Sequence, residues 1–203
     1  MVQHPDLVPI HPVLFSDLVC PLCGSSDLQA KGTVWPGIHV MGRYLCTGCG
    51  LDMLRDLPVG FAVDHPMAID RATGRLFNPT NGEGWIHGPL MRAFGSPSDA
   101  PVHIERIVRR KASRVVILNT LDFLYGHVLL KLFNAQHYLE KWPDLGLVLV
   151  LPKSYAWLVP EGVAEVWLVD LGLGRMQQWH TAIDAFVQER SREYEEIHLA
   201  RAY

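Results

Sequence analysis

The carboxyl-terminal half of the chain alternates short apolar runs with longer amphipathic segments. Four runs rich in Val, Leu and Ile cover residues 115–118, 145–151, 163–169 and 197–200. Each has the length of a strand, and strands buried on both faces are continuous apolar runs rather than alternating ones. Their alternation with helical segments predicts strand–helix–strand units, and therefore a parallel sheet with right-handed connections.

The segment between the first two runs predicts the longest helix, from about His127 to Trp142, before Pro143. One side of this helix is apolar and the other carries a polar stripe, as in an amphipathic helix. The apolar side comprises Val128, Leu129, Leu132, Phe133, Ala135 and Leu139. The polar stripe comprises His127, Lys131, Asn134, Tyr138 and Lys141. The stripe is either a solvated face or part of a binding surface. A later amphipathic helix is predicted around residues 179–194.

Residues 20–57 show a different pattern, in which two Cys-x-x-Cys pairs are each followed by glycine. In a zinc knuckle, the turn aims both sulfurs at one point. The glycine can take the positive φ that lets backbone N–H groups face the thiolates. Residues 28–35 and 38–45 predict two strands between the pairs. The whole segment therefore predicts a small β zinc ribbon with one structural zinc ion. Its predicted ligands are Cys20, Cys23, Cys46 and Cys49.

Two other roles for the cysteines are a redox dithiol and a catalytic zinc site with an open position. A redox dithiol needs only one pair, and four thiolates already fill a tetrahedral zinc ion, so structural zinc is preferred. His39 lies between the pairs and is interpreted as a surface imidazole within a strand, not as a further ligand. A ribbon this small lacks a sufficient core, and structural zinc contributes about 10–16 kcal/mol in comparable peptides.

The remaining segments carry weaker patterns. Residues 1–18 predict an extended lead-in, and residues 102–110 predict a short helix. Three polar clusters could bind a ligand but are interpreted as turn and surface groups: Asp64-His65, Asp70-Arg71 and Trp85-Ile-His87. We divide the chain into the lead-in and ribbon (1–57), an irregular connecting region (58–112) and an α/β domain (113–203).

Composition excludes some classes of function. The chain has 203 residues, of which 49% are hydrophobic, so it can bury a substantial core. Its formal net charge is −3 and it has no run of Lys or Arg longer than three residues, which argues against nucleic-acid binding. No segment approaches the roughly 20 apolar residues of a membrane-spanning helix. We expect a cytoplasmic protein, because paired cysteines in a reducing compartment suit metal thiolates better than disulfides.

Polar residues at the predicted carboxyl ends of the strands mark a ligand site, because open parallel sheets bind ligands there. The loop of residues 119–127 leads into a helix whose first N–H groups favour anionic or hydroxyl-rich ligands. Asp122 in this loop is either a general base or a loop cap. Gly172-x-Gly174 is a weak dinucleotide signal, because the third glycine is missing. The candidate catalytic residues are Asp122 and His127. The candidate substrate-binding residues are Asn119, Tyr125, Gly126, Lys131 and Lys153.

The run Leu118-Asn-Thr-Leu-Asp-Phe-Leu-Tyr-Gly-His-Val-Leu-Leu-Lys-Leu-Phe-Asn-Ala135 resembles the amino-terminal half of bacterial glycosyltransferase-like proteins of the GT-B type. In that family, a glycine-bearing loop and a helix after the first strand face the cleft between two Rossmann-like halves. The resemblance covers residues 113–203, and residues 20–57 resemble the ribbon that precedes some bacterial methyltransferase and sugar-modifying domains. The resemblance to GT-B-type proteins implies a Rossmann-like parallel sheet flanked by helices, with a nucleotide-sugar or a sugar acceptor as ligand.

Two functions remain open. The first is a zinc-binding glycosyltransferase-like protein, the acceptor-side half of a GT-B enzyme. Since no donor-binding motif or second half follows before Tyr203, we expect no efficient transfer unless a partner chain completes the site. The second is a non-catalytic zinc-ribbon module that binds a protein partner or another copy of itself. A nucleotide-dependent oxidoreductase or methyltransferase is disfavoured, because no glycine-rich turn directly follows the first strand.

Overall fold

The computed structural model describes residues 6–15, 18–58, 67–78 and 84–201. The strands in chain order are β1 (Leu7–His11), β2 (Leu28–Val34), β3 (Met41–Cys46), β4 (Asp52–Asp56), β5 (Ala68–Asp70), β6 (Leu76–Phe77), β7 (Ile104–Val108), β8 (Arg114–Asn119), β9 (Gly146–Pro152), β10 (Glu165–Val169) and β11 (Glu196–Ala200). The α-helices are α1 (Gly84–Gly95), α2 (Tyr125–Lys141) and α3 (Thr181–Ser191). Short 3₁₀ helices cover Lys153–Leu158 and Leu173–Arg175.

The larger sheet contains the four predicted apolar runs. Its strand order is β1-β11-β8-β9-β10-β7, and the four central strands are parallel. The two edge strands, β1 and β7, pair antiparallel with β11 and β10. Every residue of β9 and β10 is buried, which explains why these strands are apolar throughout except at Glu165. The predicted α/β class with parallel strands is therefore confirmed.

Strand β7 corrects the prediction of a helix at residues 102–110. Residues Ile104–Val108 pair along their whole length with β10. The Arg106 guanidinium also binds Glu165 of β10 through two hydrogen bonds, at 2.5 and 3.1 Å. Because this pairing joins residues far apart in the sequence, local helix propensity does not decide the structure of the segment.

Helix α2 covers one face of the larger sheet, rotated from the predicted orientation. The residues that it buries are Val128, Lys131, Ala135 and Tyr138. Phe133, predicted to lie on the apolar side, is 76% exposed. Lys131 and Tyr138, predicted in the polar stripe, face the interior. Both have internal partners, since Lys131 lies against Asp122 and the Tyr138 hydroxyl donates to the Asp6 carbonyl oxygen.

The smaller sheet extends the predicted ribbon. Strands β2 and β3 form the expected hairpin, and β4, β5 and β6 continue it as an antiparallel sheet. Helix α1 packs on this sheet, where Ile86 and Leu90 join a cluster with Met41, Leu54 and Ile69. In its described residues, the connecting region of residues 58–112, predicted as irregular, therefore holds two strands of the ribbon sheet, a helix and one edge strand of the larger sheet.

The two sheets share one hydrophobic core. Alternate residues of β8 face opposite sides, so that Val115 and Ile117 belong to one cluster and Val116 and Leu118 to another. The first cluster also contains residues of α3 and of the ribbon sheet, including Trp35, Val40, Tyr44, Ile183 and Val187. The ribbon sheet and α3 therefore cover the face opposite α2.

Candidate functional site

The four predicted metal ligands lie together. The ligand atoms of Cys20, Cys23, Cys46 and Cys49 are all within 4.8 Å of one another. The sulfurs of Cys20 and Cys49 are 3.6 Å apart, and those of Cys23 and Cys46 are also 3.6 Å apart. Zn–S bonds of about 2.3 Å in a tetrahedron place the sulfurs about 3.8 Å apart. The cluster thus fits a metal ion such as zinc.

Two equivalent turns position these sulfurs. Gly24 and Gly50 have φ of +74° and +77°, a conformation that side chains with a Cβ rarely adopt. The Gly24 N–H donates to the Cys20 carbonyl oxygen at 2.8 Å, and the Gly50 N–H donates to that of Cys46 at 2.9 Å. The glycine after each cysteine pair therefore serves the turn that the sequence predicted.

The environment of Cys46 favours a thiolate. Burial alone would raise the pKa of this thiol. The backbone N–H groups of Cys49 and Gly48, together with the Cys23 thiol, nevertheless lower the pKa to about 7. The pKa of Cys23 and that of Cys49 are raised instead, so a metal ion that binds the four sulfurs displaces the protons that these two retain.

His39 is not the surface imidazole that the sequence predicted. It lies in the loop between β2 and β3 and is buried, with Nδ1 3.0 Å from Asp56 Oδ2. It is not among the metal-ligand group formed by the cysteines. Its carboxylate partner explains how a polar ring is accommodated inside the protein. His39 thus ties this loop to β4.

The same loop packs on the carboxyl end of β8. The Asn119 side chain donates from Nδ2 to the Gly37 carbonyl oxygen at 2.9 Å, and its Oδ1 accepts from the Leu121 N–H at 3.1 Å. Asn119 is buried, and both ends of its amide are occupied. The structure therefore places this predicted substrate-binding residue inside the protein, where it joins the ribbon to the first strand-end loop.

Asp122 lies at the centre of the strand-end loop. It is completely buried, and its Oδ1 accepts a hydrogen bond from the Leu124 N–H at 3.1 Å. Lys131 Nζ is 3.0 Å from Oδ2, and His127 Nδ1 is 3.4 Å from Oδ1. The predicted candidates Asp122, His127 and Lys131 are therefore brought together, with the carboxylate below the surface.

Lys131 is also completely buried and holds this loop. Its ammonium group donates to the Leu121 carbonyl oxygen at 2.9 Å. Burial lowers the pKa of Lys131, while attraction to Asp122 and to Asp56 opposes this shift. Lys131 was predicted to contact substrate. The structure instead directs it to an internal carboxylate and a backbone carbonyl.

The other predicted candidates lie near the surface at the carboxyl ends of the parallel strands. Tyr125 is 49% exposed, and its ring centre is 5.5 Å from that of Tyr155, in the segment after β9. A Cβ added at Gly126 would meet open space. Lys153 Nζ is 3.3 Å from Glu105 Oε2. Sequence reasoning missed Glu105 because residues 102–110 predicted a helix rather than the strand that delivers this carboxylate.

The weaker polar clusters have structural roles where they are described. Asp70 closes its turn by accepting from the Ala72 N–H at 2.9 Å and from the Thr73 hydroxyl at 2.6 Å. Arg71 binds Asp52, with 2.6 Å between Nη1 and Oδ2. The interpretation of this cluster as turn and surface groups is thus confirmed. Asp64-His65 lies outside the described residues, as does the side chain of Trp85.

The chain matches no protein-family model, no curated protein and no solved structure. The resemblance to glycosyltransferase-like proteins therefore stays a prediction. Within the described ranges, each helix is too short or too polar to cross a membrane.

Proposed function

We propose that this chain is a zinc-ribbon protein that binds a sugar or nucleotide-sugar at the carboxyl ends of its parallel strands. In this proposal it is the acceptor-side half of a GT-B-type glycosyltransferase, and its larger sheet with α2 and α3 is Rossmann-like. The main supporting observation is the contact between Tyr125 and Tyr155, 5.5 Å between ring centres. This contact joins the strand-end segments after β8 and β9 into one partly exposed aromatic surface.

The chemistry of that surface suits a sugar. Tyrosine has an apolar ring and a polar hydroxyl, and sugars likewise have C–H faces edged by hydroxyl groups. The start of α2 lies beside it, and its Leu124 N-cap makes no side-chain cap hydrogen bond. The first N–H groups of a helix lack intrahelical partners and favour hydroxyl or anionic groups. Gly126 leaves space for a ligand to approach these groups.

The proposed metal is a structural zinc ion. Four sulfur ligands fill a tetrahedral site, so no position remains for a catalytic water. Cys20, Cys23, Cys46 and Cys49 would hold the ion and fix the two knuckles of the ribbon. A cytoplasmic location suits this role, because reducing conditions keep the thiols available to metal.

Calorimetry with panels of nucleotide-sugars and monosaccharides tests the ligand. Tyr125→Ala is expected to weaken binding at least tenfold, because it removes half of the aromatic surface. Phe133→Ala is the matched control, since it removes an exposed aromatic residue from the same helix two turns further on. If the wild-type protein binds no member of either panel, the sugar-binding proposal is wrong.

A second candidate function is a non-catalytic assembly module. Leu130 and Phe133 are 56% and 76% exposed, three residues apart on α2, so they form neighbouring apolar groups on its outer face. Sedimentation velocity distinguishes this candidate. Self-association that Phe133→Ser abolishes and Tyr125→Ala preserves would favour assembly, whereas a wild-type protein that stays monomeric would contradict assembly with itself.

A further inference from the structure

The Asp122 carboxylate links the protein interior to the strand-end surface. Its Oδ2 is 3.0 Å from Lys131 Nζ, and its Oδ1 is 3.4 Å from His127 Nδ1. Asp122 and Lys131 are buried, whereas the His127 side chain is 40% exposed. The distance to His127 is slightly longer than a typical N–H···O bond, and such contacts commonly tighten when ligand binds.

The chemistry of the Asp122 carboxylate and the His127 imidazole decides which of the two groups donates. An ionised carboxylate accepts hydrogen bonds and donates none. The arrangement that avoids repulsion between lone pairs places a hydrogen on the His127 nitrogen that faces it. The other charged groups near the carboxylate are Lys131 and, beyond it, Asp56, whose own partner is His39. Lys131 offers only donors, so it cannot supply the acceptor that Nδ1–H needs.

We infer that Asp122 is a positioning residue that holds His127 as the Nδ1–H tautomer and leaves Nε2 to accept a hydrogen bond from a ligand hydroxyl. The tautomer of a histidine is set by the bond that its other nitrogen makes. The Phe123 ring contacts the imidazole edge to face, with 6.4 Å between centres and a 74° interplanar angle. This contact restrains rotation of the imidazole.

The inference rests on the proposed function and makes its ligand more specific. A neutral Nε2 lone pair accepts from a hydroxyl group but repels the oxygens of a phosphate. The group recognised at His127 is therefore a sugar hydroxyl, as in an acceptor, rather than a donor phosphate. In this arrangement Asp122 acts on the ligand only through His127, because it has no exposed surface of its own.

Long-range ¹H–¹⁵N NMR of the full chain, without ligand, measures the tautomer. The spectra are recorded at about pH 8.5, where they distinguish the two neutral tautomers from imidazolium directly. The imidazole resonances that are missing from the spectrum of the His127→Gln variant are assigned to His127. Replacing Asp122 alone would leave Lys131 charged and buried and could prevent folding. The test variant is therefore the apolar pair Asp122→Leu with Lys131→Met. His198 is an internal control, because its Nε2 faces Glu196 Oε1 at 2.6 Å and predicts the opposite tautomer.

The expected result is an Nδ1–H tautomer for His127 in the wild-type protein and a shift towards Nε2–H in the double variant, with His198 unchanged. A wild-type Nε2–H tautomer, or the same tautomer in both proteins, would overturn the inference. Millimolar inorganic phosphate is expected to leave the Nε2 resonance in place. Conversion to imidazolium by phosphate would overturn the hydroxyl assignment. Since the tautomer is measured without sugar, failure of sugar binding would defeat the proposed function separately.

Discussion

Burial of the Lys131–Asp122 ion pair is the main energetic feature at the scale of single residues. Lys131→Met would leave the buried carboxylate without its cation and is expected to cost about 3–5 kcal/mol of unfolding free energy. The double variant Lys131→Met with Asp122→Leu should lose much less, because both charges leave the interior together. Urea denaturation measures both. Equal losses would show that packing, not charge, dominates at this position.

A substitution of Gly126 has separate expected effects on stability and on ligand binding. It lies in the first turn of α2, its φ is not positive and a Cβ would meet open space. Gly126→Ala should therefore keep stability or raise it by up to about 1 kcal/mol, while weakening sugar binding because the methyl group occupies the ligand's approach. Thermal unfolding and calorimetry measure the two effects. Gly95→Ala, at the end of α1 and also in open space, should leave sugar binding unchanged.

At the scale of elements, a small charge cluster attaches β1 to α2. Asp6 Oδ2 contacts Lys141 Nζ and lies 3.2 Å from His137 Nε2. The hydrogen bond from Lys141 lowers the pKa of Asp6 most, and that from His137 adds to it, against a partial opposing effect of burial.

A lowered carboxyl pKa gives stability that is present above the unfolded value of about 3.9 and is lost as pH falls through the folded value. The protection of residues 7–11 against hydrogen exchange, corrected for the intrinsic exchange rate at each pH, should therefore fall below about pH 4. Asp6→Asn should weaken β1 by no more than about 1 kcal/mol and remove this acid dependence. An unchanged acid dependence in Asp6→Asn would show that another group is responsible.

The cysteine turns are the elements that depend most on metal. Cys23, Cys49 and Leu22 are exposed, so little apolar burial holds these turns together. Chelation, or Cys20→Ser, should increase hydrogen exchange first in residues 20–26 and 46–51, while β8 to β10 keep their protection until global unfolding. The control is the same chelator loaded with zinc. Metal analysis that finds no zinc in the purified protein would contradict the assignment.

At the scale of the whole molecule, Trp35 joins the ribbon sheet to the larger sheet. It is 1% exposed, and its backbone N–H donates to Asp184 Oδ1 at 2.9 Å. Trp35→Ala should cost about 3–5 kcal/mol and shift one common transition, because both sheets share its cluster. Circular dichroism monitors the larger sheet, and the accessibility of the cysteine thiols monitors the ribbon sheet. Trp157→Ala, at a residue 74% exposed, should change stability by less than about 0.5 kcal/mol.

Much of the local structure could be predicted from the sequence. The four apolar runs are the central parallel strands, because a strand buried on both faces needs apolar residues wherever folding supplies no polar partner, as it does for Glu165. The hairpin of β2 and β3 and both cysteine turns were also predicted, since a turn depends on neighbouring glycines and cysteines. The predicted metal ligands lie together, and the candidates Tyr125, Gly126, His127 and Lys153 lie at the strand ends.

What only the tertiary structure decided depends on partners that are distant in the sequence. β7 is a strand because β10 pairs with it, and Glu165 binds its arginine. His39 is buried because Asp56 binds it, and Lys131 is buried because the loop carboxylate of Asp122 turns back to meet it. The spacing of hydrophobic residues along the sequence specifies which faces of the strands and helices must be buried. It cannot specify which polar groups enter the interior, because burying a charge depends on whether folding supplies its partner.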